Sequence, residues 1–111
     1  MKTTSPHLLR LLAATALMLS THVVSHAQDK ATQLHNRATA AMCANCHGTD
    51  GRTTDGSAIP SLVGMPKDYM VLQLKAFKDG TRPATVMHQI TKGLTDAQID
   101  TISSYYAATK R

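Results

Sequence analysis

Apolar residues recur at helical spacing in three stretches of this chain, and nowhere do they alternate as a strand requires. Between about residues 29 and 44, Leu34, Ala38, Ala41 and Met42 fall on or near one face, which predicts a helix. Over residues 69–78, Met70, Leu74 and Phe77 share a second face, with Pro66-Lys67-Asp68 as the opening signal and Asp79-Gly80 as the stop. The last helix opens on Thr95-Asp96-Ala97-Gln98, a capping box in which Thr caps and Gln answers three residues on. Ile99, Ile102 and Tyr106 follow as an apolar and aromatic stripe. A short turn over residues 87–91 ends at Gly93. Two loops separate these elements: residues 48–64, punctuated by Gly48, Gly51, Gly56, Pro60 and Gly64, and residues 81–85 around Pro83. A loop as long as the first is uncommon unless it covers or binds something. The pattern predicts a small all-α domain.

The amino terminus reads differently. Lys2 and Arg10 precede an apolar run from Leu11 to Leu19 that is too short to span a bilayer comfortably. Ser25-His26-Ala27 then places small residues at a cleavage position. Residues 1–27 are therefore expected to be a secretory signal peptide, leaving a mature domain of residues 28–111 in the periplasm. The competing reading, an uncleaved membrane anchor, is disfavoured by the short run, so no stable membrane insertion is expected after cleavage. Without Lys2 and Arg10 the formal net charge falls from +5 to +3. With no basic run and few aromatics, nucleic-acid binding is poorly supported. The mature part has no Trp, and its aromatics are Tyr69, Phe77, Tyr105 and Tyr106, so its core is thin for a stable domain.

Both cysteines of the chain lie in Cys43-Ala44-Asn45-Cys46-His47. Cys-x-x-Cys-His is the attachment signature of a c-type haem: two thiols meet the two vinyl groups, and the adjacent imidazole can reach the iron. A thioredoxin-like dithiol belongs after a strand, whereas this run follows a helical stretch. A zinc site lacks further ligands, since only His35 and His88 remain in residues 28–111. A disulfide across two residues would close a very small loop. One covalently held haem c would also supply the apolar body that the core lacks.

His47 is thus the expected proximal ligand. A thioether opposite it would favour a positive potential, a second imidazole would lower it, and an open position would admit small ligands. Met42 adjoins Cys43 and cannot reach the opposite face, and Met70 reads as core filler. Met87, in an extended or turn segment after Pro83, is the preferred second ligand. Met65, His88 and an open position stand as alternatives. His88, next to Met87, is expected to point away from it and to sit nearer the surface.

The chain resembles the class I cytochromes c in Cys43-Ala44-Asn45-Cys46-His47, Pro60-Ser61-Leu62-Val63-Gly64, Met87 and the final helix with Tyr105-Tyr106. The resemblance implies a small class I fold wrapped around one haem, with the Pro60 carbonyl holding the proximal His47. Such a bond fixes the ring and raises its basicity as a ligand. It also implies that the first and last helices cross, here through Leu34, Ala38 and Ala41 against Ile102 and Tyr106.

Residues 80–95, with Gly80-Thr81-Arg82-Pro83 and Met87-His88-Gln89, further resemble the cytochrome subunits of flavocytochrome c sulfide dehydrogenases and related short bacterial monohaem cytochromes. This implies a non-catalytic, single-electron carrier accepting electrons from a flavoprotein sulfide dehydrogenase subunit or another redox protein. A free carrier to a terminal oxidase is the first alternative, and a gas-binding sensor or enzyme with open iron is the second. Lys67, Lys75, Lys78, Arg82 and Lys92 could contribute to a partner surface.

Overall fold

The computed structural model describes residues 6–110, with side chains from residue 27 onward. The expected signal segment 1–27 lies, Ala27 apart, outside the described side chains. Helix α1 runs Pro6–His47, a 3₁₀ turn occupies Thr49–Gly51, and α2 (Lys67–Asp79), α3 (Met87–Lys92) and α4 (Asp96–Ala108) follow. No strand occurs among the described residues, and the domain is all-α. No helix among them is long and apolar enough to cross a membrane. The chain divides within α1 into residues 1–34 and 35–111, and the second unit carries the core and the site.

Local chemistry explains the boundaries. The expected first helix continues three residues past Ala44, so the Cys-x-x-Cys-His run forms its last turns. Gly48 stops it with φ 80°, and a Cβ there would lie 1.9 Å from the Arg52 carbonyl oxygen. Only glycine tolerates that turn. Helix α2 ends at Gly80 in the left-handed region, whose N–H donates to the Phe77 carbonyl. The capping box of α4 is present: Gln98 N–H donates to Thr95 Oγ1 at 3.2 Å, and Thr95 N–H donates to Gln98 Oε1 at 2.8 Å. Such a cap stabilises by about 1 kcal/mol.

The core gathers Ala40, Met70, Leu74, Leu94, Ile99, Ile102 and Tyr106. The expected faces of α2 and α4 are the buried ones, with Met70 3%, Leu74 7%, Ile99 0%, Ile102 1% and Tyr106 1% exposed. The face of α1 is not. Leu34 is 69% exposed, and Ala38 and Ala41 are exposed as well. The inward stripe is Asn36, Ala40, Cys43 and His47, at steps of four, three and four residues. Its orientation follows the motif: once Cys43 and His47 face inward, Ala40 must, while Leu34, Ala38 and Ala41 turn out. Contact with α4 therefore runs through Ala40, whose carbonyl accepts the Tyr106 hydroxyl at 2.8 Å.

A second correction concerns residues 87–92. The expected extended or turn segment is a short helix, α3, and Met87 is its first residue. The Thr91 hydroxyl is buried and donates to the Met87 carbonyl at 2.8 Å, which fastens the helix at its start. His88 is half-buried rather than at the surface, and its Nδ1 has no hydrogen-bond partner among the described residues.

Candidate haem site

Cys43, Cys46 and His47 are spaced i, i+3 and i+4, so the end of α1 projects them from one side. Cys43 is half-buried, Cys46 exposed and His47 only 8% exposed. His47 Nδ1 lies 2.7 Å from the Pro60 carbonyl oxygen. A carbonyl only accepts, so Nδ1 carries the proton and Nε2 keeps its lone pair for a metal. This is the hydrogen bond the family resemblance implied.

The loop that delivers Pro60 is held by one acceptor. The Gly51 carbonyl receives the Leu62 N–H at 2.8 Å, the Val63 N–H at 3.3 Å and the Ser61 hydroxyl at 2.8 Å. Gly64 N–H then donates to the Tyr106 carbonyl at 2.9 Å, tying the loop to α4. Gly51 has φ 76°, and a Cβ there would stand 2.7 Å from the Tyr106 ring. These groups were not singled out as site residues from sequence; a glycine-rich stretch says that turns occur, not which carbonyl organises them.

Burial pushes the Cys43 thiol above its ordinary value, outweighing a smaller opposite effect of the Tyr106 hydrogen bond. A redox-active dithiol needs a lowered thiol pKa, so this environment argues against thioredoxin-like chemistry.

The motif opens onto a cavity of about 490 Å³. Its walls come from the end of α1 (Met42, Cys43, Cys46, His47), the long loop (Ile59, Pro60, Leu62, Met65), α2 (Tyr69, Met70, Gln73, Leu74, Phe77) and residues 82–87 with Ile90. All five residues proposed from sequence, Cys43, Cys46, His47, Pro60 and Met87, line it. Met65 lines it too, whereas His88 does not. Met42, Ile59, Tyr69, Val86 and Ile90 are each at least 39% exposed, and all five border this cavity. An apolar concavity of this size suits a large apolar cofactor. Two thiols, a free imidazole nitrogen and a thioether in one such wall fit a covalently attached haem.

An all-helical domain with a Cys-x-x-Cys-His helix end facing an apolar cavity defines a c-type cytochrome. The family model for cytochrome c matches residues 36–110, and the chain belongs to that family. It is 44% identical over 64 residues to the cytochrome subunit of sulfide dehydrogenase of Chlorobaculum tepidum, covering 58% of this chain and 56% of that protein. It is 38% identical over 71 residues to the thiosulfate dehydrogenase electron acceptor of Thiomonas intermedia, covering 64% of this chain and 33% of the relative. Cytochrome c4 of Pseudomonas aeruginosa is 32% identical over 101 residues, 91% of this chain and 49% of the relative. The matched region thus spans from about a third to just over half of these relatives. Among solved structures, cytochrome c4 of Acidithiobacillus ferrooxidans superposes with a TM-score of 0.56 at 38% identity, covering 60% of this chain and 37% of that one. Membership of this family implies a covalent haem c, for whose attachment Cys43 and Cys46 fit, and two of these relatives are by name a cytochrome subunit and an electron acceptor.

Proposed function

We propose that this cytochrome is exported to the periplasm after removal of residues 1–27 and accepts single electrons from a flavoprotein sulfide dehydrogenase subunit. Cys43 and Cys46 would hold the haem covalently, and His47 and Met87 would ligate its iron. When bound, the haem supplies the ferric–ferrous couple; the chain contributes ligands, burial and orientation. The observation that carries the reading is the shared wall: Cys43, Cys46, His47 and Met87 border one apolar cavity, with His47 held by Pro60 at 2.7 Å. Met87 is the stronger ligand candidate over Met65 because the Thr91 hydroxyl anchors the first residue of α3 at 2.8 Å. The donor assignment is supported by the sulfide dehydrogenase cytochrome subunit among the relatives.

A second donor class is favoured by a specific relative, the thiosulfate dehydrogenase electron acceptor. Stopped-flow reduction of the ferric holoprotein separates the two. Rapid reduction by a sulfide-charged flavoprotein subunit, and slow reduction by a thiosulfate-charged dehydrogenase, supports the proposal. The opposite order assigns the protein to the thiosulfate enzyme, and slow reduction by both leaves the free-carrier role.

A further inference from the structure

Cys43 meets an aromatic pair that takes no part in lining the haem cavity. The Tyr106 phenol lies within hydrogen-bonding reach of the Cys43 sulfur. Its ring packs edge-on against that of Tyr105, with centroids 5.1 Å apart and planes at 78°. Both tyrosines border a separate recess of about 160 Å³, together with Arg37, Thr49 and Asp50. The contacts run from Cys43 to Tyr106, then to Tyr105 and Asp50, and so join the attachment point to this recess.

The two phenols differ in what can receive their protons. Tyr106, 1% exposed, donates to the Ala40 carbonyl at 2.8 Å, and an amide carbonyl is no base. Tyr105, half-buried, donates to the carboxylate Oδ1 of Asp50 at 2.9 Å. Arg37 stands 3.8 Å from the same oxygen, but its side chain is 66% exposed, so solvent screens its pull on the carboxylate. A phenol that loses an electron becomes a strong acid, and a base already in place makes that loss easier. Tyr105 has such a base. Tyr69, at the rim of the haem cavity and 50% exposed, has none among the described residues.

We propose that Tyr105 is a site of reversible one-electron oxidation, reached from the haem through Cys43 and Tyr106, that gives up its electron when a peroxide is reduced at the iron. The proposal rests on a haem held at Cys43, and it fails separately from that reading. Hydrogen peroxide takes two electrons and two protons to become two waters. One electron comes from the ferrous iron as it becomes ferric, and Tyr105 supplies the other. The two protons come from solvent, while the phenolic proton of Tyr105 passes to Asp50. Protonated Asp50 then donates back to the phenoxyl oxygen, so the proton stays in place for re-reduction. The oxidising equivalent ends at the recess instead of on the thioether of Met87, which would become a sulfoxide.

The test adds one equivalent of hydrogen peroxide to the ferrous holoprotein and follows it by freeze-quenched electron paramagnetic resonance. The wild type should give ferric haem and a tyrosyl radical whose signal narrows when the chain carries ring-deuterated tyrosine. Tyr105→Phe should abolish the signal and raise the yield of Met87 sulfoxide found by peptide mass spectrometry. Asp50→Asn keeps a side chain that tolerates the left-handed φ of 52° at that position. It should cut the radical yield about tenfold, the size of one lost charge-assisted hydrogen bond. Tyr106→Phe keeps the packing and should slow the appearance of the radical. If Tyr105→Phe does not mature, the yield in Asp50→Asn carries the test. The proposal is overturned by a wild type without a protein radical, by a radical at wild-type yield in Asp50→Asn or at wild-type rate in Tyr106→Phe, or by a signal that persists in Tyr105→Phe and so belongs to Tyr69. A wild-type chain that holds no covalent haem would instead refute the reading of the cavity.

Discussion

The phenol of Tyr106 donates to the Ala40 carbonyl at 2.8 Å, across 66 positions of sequence, and both residues are at most 1% exposed. This bond fastens α4 to the turn of α1 that precedes Cys43. Tyr106→Phe keeps the ring and removes the donor, leaving a buried carbonyl without that partner. The expected loss is about 1–3 kcal/mol in urea unfolding of the holoprotein, with the haem still attached.

Gly51 sits against the edge atoms Cδ1 and Cε1 of the same ring. Gly51→Ala combines a φ of 76° with a Cβ only 2.7 Å from the Tyr106 ring. It should cost roughly 2 kcal/mol or more, since neither the turn nor the ring can give way freely. Ser61→Ala, by contrast, removes one of three donors to the Gly51 carbonyl and should cost about 1 kcal/mol. Denaturation midpoints of the two holoproteins check the ordering; a milder Gly51 variant would contradict the close packing.

Met87→Ala tests the proposed axial ligand. The covalent haem should persist, the Met–iron charge-transfer absorption should vanish, and the potential should fall. Met65→Ala should leave that absorption in place. Loss in the Met65 variant alone would move the ligand to the loop.

Alkaline pH should destabilise the fold. Burial is the first cause that raises the phenol of Tyr106, and also that of Tyr105, whose hydroxyl donates to Asp50 Oδ1 at 2.9 Å. A folded pKa above the unfolded value of 10.0 means that the stabilisation is complete below that pH. As pH rises past it, the unfolded chain ionises first, and stability is lost up to the folded pKa. Unfolding midpoints should therefore fall between about pH 9 and pH 12. Replacing both tyrosines by Phe should flatten that decline even though the variant starts less stable.

Cys43→Ser should leave one thioether and a less stable holoprotein. Haem-free chain should lose cooperative thermal unfolding by circular dichroism, because Met42, Ile59, Tyr69, Val86 and Ile90 are exposed apolar residues that border the cavity. A haem-free chain that melts cooperatively would show that the helical core suffices alone.

Local signals were enough for much of this protein. Periodicity placed α2 and α4 with their buried faces, Thr95 and Gln98 announced the cap, and Cys43-Ala44-Asn45-Cys46-His47 specified the cofactor. Each depends on residues within a turn or two of one another. The face of α1 failed because apolarity along the helix favoured Leu34 and Ala41, whereas burial there is dictated by where Cys43 and His47 must point. The helical start at Met87 was also missed, since six residues carry too little pattern to separate a turn from a helix. The family resemblance named the Pro60 carbonyl as the partner of His47, but tertiary structure alone decided which carbonyl organises the loop and which of the candidate surface cations lines the cavity. Those relations join residues far apart in the chain, and their distances follow from packing of the whole domain rather than from any spacing along it.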